Sequence, residues 1–271
     1  MAHNRRKNKT VFCIMEQKGL PINSVEKALN ILMSFLEREA PWGVRELSAH
    51  LGFSPATAQR SLQTLKAYGF LDQDPETRQY RLGNIYYAFL HSLQSAFPVS
   101  RAALPYMKQL LAVTGETVHL NLIDDRYRLC IDTLESSQNL KASMPIGSRS
   151  PLHAGASSKC LLAFSSQDFI ENYLKSEPLG RITENTITDV QTLRAELEVI
   201  RNQGYATSLA EHNPGLGAMS APVLNHRGVL LAALSLALPE IRFRDDRHRR
   251  DCLTELVRTT RDFSKIMGYR D

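Results

Sequence analysis

The sequence predicts an α+β protein: a small helical module closed by a hairpin, a linker helix, and a larger domain in which helices flank an antiparallel sheet. Three observations predict it. Between Gly43 and Leu82, two short amphipathic runs meet at a tight turn and lead into two strand-like runs. Ile85, Tyr86, Tyr87, Ala88, Phe89, Leu90 and Leu93 make the next segment apolar around most of a helix's circumference. From Arg101 onward, runs of period two alternate with runs of helical period.

Residues 1–20 carry Arg5, Arg6, Lys7, Lys9 and Lys18 with little periodicity and read as a basic flexible arm. Residues 21–82 form the first domain. Val25, Ala28, Leu29, Leu32, Phe35 and Leu36 stripe one helix, with Asn23 or Ser24 as its cap and Glu26 in its first turn. Trp42, the only tryptophan, is placed to plug the core at the bend before Gly43. Val44, Leu47 and Leu51 give a second helix, stopped by Gly52. Ser54 then caps a third helix with Pro55 at its first position, where a missing N–H costs nothing. Ala58, Leu62 and Leu65 face its core, and Gly69 ends it. Phe70-Leu71 enters a strand, Asp74-Pro75-Glu76-Thr77 turns, and Gln79-Tyr80-Arg81-Leu82 returns.

This is the pattern of a winged helix-turn-helix. The faces of the third helix left free by its core stripe carry Ser54, Thr57, Gln59, Arg60 and Gln63, and the wing carries Arg78. Gln and Arg can engage adenine and guanine edges bidentately in a major groove, and hydroxyls reach bases or phosphates. Residues 83–97, the linker helix, are too apolar for a lone connector and are expected to pack on a second copy, which would set two recognition helices one DNA turn apart on a palindromic operator. Pro98 is expected to end that helix.

Residues 98–271 form the second domain. A helix from Ala103 to Val113 precedes a hairpin of Thr117–Ile123 and Tyr127–Leu134 around Asp124-Asp125. Ser150 to Ala163 reads as a loop running into a helix, followed by helices at 165–174 and 189–203. A strand at 205–211, a Gly/Pro loop, a hairpin of 219–224 with 229–237, and a helix from Asp246 to Met267 complete the chain.

At 271 residues the chain has length for a core in each domain. Residues 1–97 hold 12 Lys+Arg against 8 Asp+Glu, whereas 98–271 hold 21 against 20, so the basic excess lies with the first domain and polyanion contact should be local and salt-sensitive. No apolar run approaches bilayer length and no signal peptide is seen, so a cytoplasmic location without membrane contact is expected. Cys13, Cys130, Cys160 and Cys252 lack CxxC spacing and read as buried thiols.

Together with the winged module and linker helix, Pro151-Leu152-His153-Ala154 before Lys159, Glu211 before Pro214-Gly215, and Ala221-Pro222-Val223 before Ala232-Ala233-Leu234-Ser235 make the chain similar to the IclR family of bacterial transcriptional regulators over about residues 20–267. The resemblance implies a GAF-like effector domain at the C-terminus and assembly as a homodimer or dimer of dimers. It also implies control of catabolic genes by a small organic or aromatic acid. By similarity the effector site would involve Ala156, Ser157, Ser208, Ala218, Ser235 and Ala237. Residues 156–158 would lie at a helix N-terminus, which favours a carboxylate, and Ser235 would add a hydroxyl from the floor. The glyoxylate-type pattern has an acidic residue where Ser208 stands and a serine where Ala237 stands. The pocket here is less polar, which points to a larger or aromatic carboxylate.

Other chemistry is poorly supported. His119, His153 and Cys160 lack the spacing of a metal set and read as satisfied structural groups; no metal or cofactor is expected. Ala156 removes a Ser-x-x-Lys motif, and Gly155 to Lys159 lacks the second glycine of a nucleophile elbow, so no enzyme activity is expected. A small-molecule-transforming C-terminal domain with a vestigial DNA module is the alternative. Lys159 either bonds loop carbonyls or faces solvent.

Overall fold

The computed structural model describes residues 23–38, 40–96 and 98–270. The basic arm expected at 1–20, and Cys13 within it, lie outside the described residues. The described chain forms two compact units that divide between residues 96 and 98.

In the first unit α1 (Asn23–Ser34), α2 (Val44–Leu51) and α3 (Pro55–Ala67) pack around Ile31, Phe35, Trp42, Leu47, Leu62 and Leu65. Asn23 is already helical, so Ser24 sits within the first turn of α1 instead of capping it. The strands β1 (Leu71–Gln73) and β2 (Tyr80–Leu82) form the hairpin, with Leu71 and Tyr80 closing the core beneath it. Trp42 does more than fill space: its backbone pairs with Tyr80 in both directions, at 2.9 and 2.8 Å, and its indole N–H donates to the Ser34 carbonyl at 3.1 Å. Backbones cross so closely where α3 meets the hairpin that a Cβ on Gly83 would lie 2.1 Å from the Gly69 carbonyl oxygen. The helix α4 (Ile85–Ala96) follows, held by Tyr86 and Phe89 against Phe70.

The second unit opens with α5 (Pro98–Thr114). Pro98 therefore starts a helix, a position that tolerates its missing N–H, and α5 begins five residues before the expected Ala103. One antiparallel sheet follows, in the order β5-β4-β3-β8-β7-β6. Its strands are β3 (Thr117–Asp124), β4 (Tyr127–Leu134), β5 (Arg149–Pro151), β6 (Ala206–Leu209), β7 (Leu216–Leu224) and β8 (Leu230–Pro239). The edge strand β5, with only three residues, lies in the segment expected to be a loop.

The sheet is covered on both faces. Val118, Leu120, Met219, Leu234 and Leu236 point toward α5 and α10 (Asp246–Ile266), while Ala206, Ala218 and Ala233 point toward α6 (Ala156–Ala163), α7 (Gln167–Ser176) and α8 (Val190–Gln203). A single turn, α9 (Glu240–Phe243), precedes α10. Caps follow sequence chemistry: Ser166, Asp189 and Asp245 accept backbone N–H groups at the starts of α7, α8 and α10.

One irregularity decides what faces α6. In the β3–β4 ladder His119 opposes Thr133 and Leu120 opposes Asp132, but Asn121 opposes Cys130, so β4 carries one extra residue at Ile131. Because strand faces alternate, this bulge turns Cys130 and Arg128 onto the α6 side of the sheet.

Candidate functional site

The exposed surface of α3 is the first candidate. Ser54 caps the helix as expected: its hydroxyl accepts from the Thr57 N–H at 3.2 Å and meets the Thr57 hydroxyl at 2.9 Å. Both hydroxyls are thus engaged locally. Gln59 is half-buried and donates to the Tyr80 hydroxyl at 3.4 Å, tying the helix to the hairpin. Arg60 and Gln63 are exposed on the face opposite Ala58, Leu62 and Leu65. Beside Arg60, a concavity between α1 and α3 is lined by Ser24, Lys27, Thr57, Ser61 and Thr64.

Arg78 sits at the hairpin tip, exposed, with φ of 59°, a conformation uncommon for a residue other than glycine. Asp74 enforces it by accepting from the N–H groups of Glu76 and Thr77 at 2.9 and 2.8 Å, while its carbonyl accepts from the Arg78 N–H at 3.0 Å. The same bonds hold the Asp74 carboxyl below the usual carboxylate range.

The second candidate is a concavity in the C-terminal unit with about 530 Å³ of empty space counted out through its open mouth. Ala156, Ser157, Ser208, Ala218 and Ala237 line it. Ladder register explains the grouping of three of them: Ser208 opposes Ala218, which opposes Ala237. Ser235 is not part of the lining. It lies buried one step along β8, accepts from the Asn121 amide at 3.2 Å and meets the Ser220 hydroxyl at 2.8 Å.

The start of α6 is also occupied differently from expectation. The Ala156 N–H donates to the Ser208 hydroxyl at 2.9 Å, and the Gly155 N–H donates to a Glu211 carboxylate oxygen at 3.0 Å. The other Glu211 oxygen accepts from Lys159 Nζ at 2.7 Å, and Glu196 accepts from the same ammonium at 2.7 Å. Lys159 is 1% exposed and neither bonds loop carbonyls nor faces solvent. The protein's own carboxylate therefore sits on the Gly155 amide just ahead of α6, and a hydroxyl meets the Ala156 amide.

Composition concealed the most unusual lining residues. Arg128 is 3% exposed, yet no carboxylate lies within ion-pair distance of it among the described residues. Its Nε donates to Ser150 Oγ at 2.7 Å and its Nη1 to Asn121 Oδ1 at 3.2 Å, and Ser150 meets Ser158 at 3.2 Å. A polar chain thus runs beneath the cavity from Ser158 through Ser150, Arg128, Asn121 and Ser235 to Ser220. Burial lowers the Arg128 pKa to about 10.

His119, also lining the cavity, is 1% exposed; Nδ1 meets the Thr133 hydroxyl at 3.1 Å and Nε2 has no partner. Burial first, and Arg128 second, lower its pKa to about 4, so the ring is neutral. Of the two histidines expected to be satisfied, only His153 is: Nε2 donates to the Gly180 carbonyl at 3.0 Å and Nδ1 meets the Tyr173 hydroxyl at 3.1 Å. Among the described residues no group of three His, Cys, Asp or Glu side chains is placed to hold a metal, and no helix is long and apolar enough to cross a membrane.

Comparison with known proteins agrees with both halves of this geometry. The family model for the IclR helix-turn-helix domain matches residues 24–75, and that for the bacterial transcriptional regulator IclR C-terminal domain matches residues 91–265. The chain is 34% identical over 251 residues to the HTH-type transcriptional regulator KdgR of Escherichia coli, covering 92% of this chain and 94% of the relative. It is 32% identical over 269 residues to KdgR of Dickeya chrysanthemi, covering 99% and 87%. Its fold matches the crystal structure of the Thermotoga maritima IclR with a TM-score of 0.82 at 27% identity, over 92% of this chain and all of that one.

Proposed function

Because the chain belongs to the IclR family of bacterial transcriptional regulators, and so is a ligand-responsive DNA-binding regulator, we propose how its residues divide that work. Arg60 and Gln63 read base edges in a major groove, Ser54 and Thr57 approach phosphates at the α3 start, Gln59 braces α3 on the wing, and Arg78 reaches backbone or minor groove from the wing tip. Two copies joined through α4, as a homodimer or a dimer of dimers, address a palindromic operator. The cavity walled by Ala156, Ser157, Ser208, Ala218 and Ala237 holds the effector, a small organic acid larger than a two-carbon acid, and controls a catabolic operon. The protein works in the cytoplasm, beside its DNA.

The observation that carries this reading is the exposed pair Arg60 and Gln63, without side-chain partners among the described residues, on a helix whose start is capped and which is followed by a wing with Arg78 at its tip. A regulatory role suits the thiols better than a catalytic one, since burial pushes Cys130 up to about 11 and Cys160 and Cys252 up to about 12. The direct test is gel retardation of the fragment upstream of the protein's own gene at low ionic strength. Wild-type protein is expected to retard it, and Arg60→Ala to bind at least tenfold more weakly with unchanged far-UV circular dichroism. Equal retardation by both removes Arg60 from the interface.

A further inference from the structure

We propose that Arg128 and His119 form the recognition end of the cavity and that it takes the carboxylate of a ligand, at a place other than the α6 N-terminus. The inference rests on reading the cavity as the effector site and specifies which end of the effector goes where.

Three observations carry it. First, the Arg128 guanidinium is buried without a carboxylate partner among the described residues and meets only neutral groups, Ser150 at Nε and both Asn121 and the Met144 sulfur at Nη1. A buried charge is costly unless paired, so an anion entering the cavity gains what the chain itself does not supply. Second, His119 Nε2 is buried, lines the same cavity and has no partner. In the tautomer whose Nδ1 accepts from the Thr133 hydroxyl, the neutral ring presents Nε2–H as a donor to a carboxylate oxygen. Third, the chain itself takes part of the opposite end: Ser208 meets the Ala156 amide, and a Glu211 carboxylate oxygen sits on the Gly155 amide just before α6.

The ligand is therefore oriented. Its carboxylate lies on Arg128 and His119, and its uncharged body lies toward Ala218 and Ala237. The polar chain from Ser220 through Ser235 and Asn121 makes Ser235 a positioning residue for Arg128.

The test uses the full chain and four named acids, acetate, pyruvate, benzoate and 4-hydroxybenzoate, each beside its primary amide. Thermal unfolding and calorimetric titration are the readouts. At least one acid is expected to raise the midpoint while its amide at equal concentration does not. Arg128→Lys, which keeps charge but loses the planar fork, is expected to weaken that acid at least tenfold. His119→Gln is expected to weaken it several-fold, and decides the matter if the Arg128 variant does not fold by circular dichroism. Equal stabilisation by acid and amide, unchanged acid binding in folded variants, or a wild-type protein that none of the acids stabilises each overturns the proposal. Operator retardation by the wild-type sample is measured alongside. Arg128-dependent acid binding without operator binding overturns the regulator reading and leaves this one standing.

Discussion

A neutral histidine inside the C-terminal unit makes stability depend on pH from the acid side. The folded His119 pKa is about 4 against an ordinary 6.5, so below pH 6.5 the unfolded chain binds a proton that the folded chain refuses. Stability is then complete above pH 6.5 and falls as pH drops toward 4, by about 3 kcal/mol for this group. Denaturant unfolding at pH 7 and 4.5 is expected to show a smaller acid loss in His119→Gln than in wild type; equal losses would discount the burial of the ring. At Lys159 the balance is one of partners. Lys159→Met leaves Glu211 facing the cavity unpaired and is expected to cost about 3–5 kcal/mol, with Lys159→Met/Glu211→Gln recovering much of it. Neither residue could be assigned from sequence. Lys159 stands 37 and 52 positions from its two carboxylates, and nothing local announces a pairing at that range.

Elements were read more easily than residues because their signals are local. Ser54-Pro55, Gly52 and Gly69 place the ends of α2 and α3 within a few positions of the chemistry that causes them. Ser54→Ala is accordingly expected to cost about 1 kcal/mol in thermal unfolding of the full chain. Gly83→Ala should cost more, about 1–3 kcal/mol, since its Cβ would meet the Gly69 carbonyl and the backbone must shift. Where signals were ambiguous, tertiary pairing decided. Arg149–Pro151 is too short to show a period, and becomes a strand only because β4 offers an edge. Pro98 can end a helix or begin one, and here it begins α5. On α4, Tyr87, Phe89, Leu90 and Leu93 remain exposed, a larger apolar surface than a lone helix on a monomer normally shows. Leu93→Asp is expected to lower the mass seen by light scattering at micromolar concentration; an unchanged oligomer would assign this face elsewhere.

For the whole molecule, operator and effector are two ligands of one chain, and their influence on each other must be equal. A coupling of about 1–3 kcal/mol changes operator affinity several-fold or more, and saturating operator DNA must change the effector dissociation constant by the same factor in the same direction. Titrating the acid identified above into free and operator-bound protein checks this. Unequal factors would mean that a third state, such as a change of oligomer, intervenes. The division of the chain into a polar-faced helical module and a sheet domain was legible because each has its own periodicity. The cavity was only partly legible: residues brought by a single ladder row, Ser208, Ala218 and Ala237, were found, whereas those delivered by a change of strand face were not.

That change of face has a further consequence. Ile131 is a spacer, and what it contributes is a count. Were Ile131 instead paired opposite Asn121, strict alternation in β4 would swing Arg128 to the side of α5 and α10 and bring Leu129 over the cavity in its place, whereas deleting Ile131 would keep every other partner and leave Arg128 on its face. A basic socket would become a greasy one with no side chain in it chemically altered, so in this sheet selectivity can be rewritten by register alone.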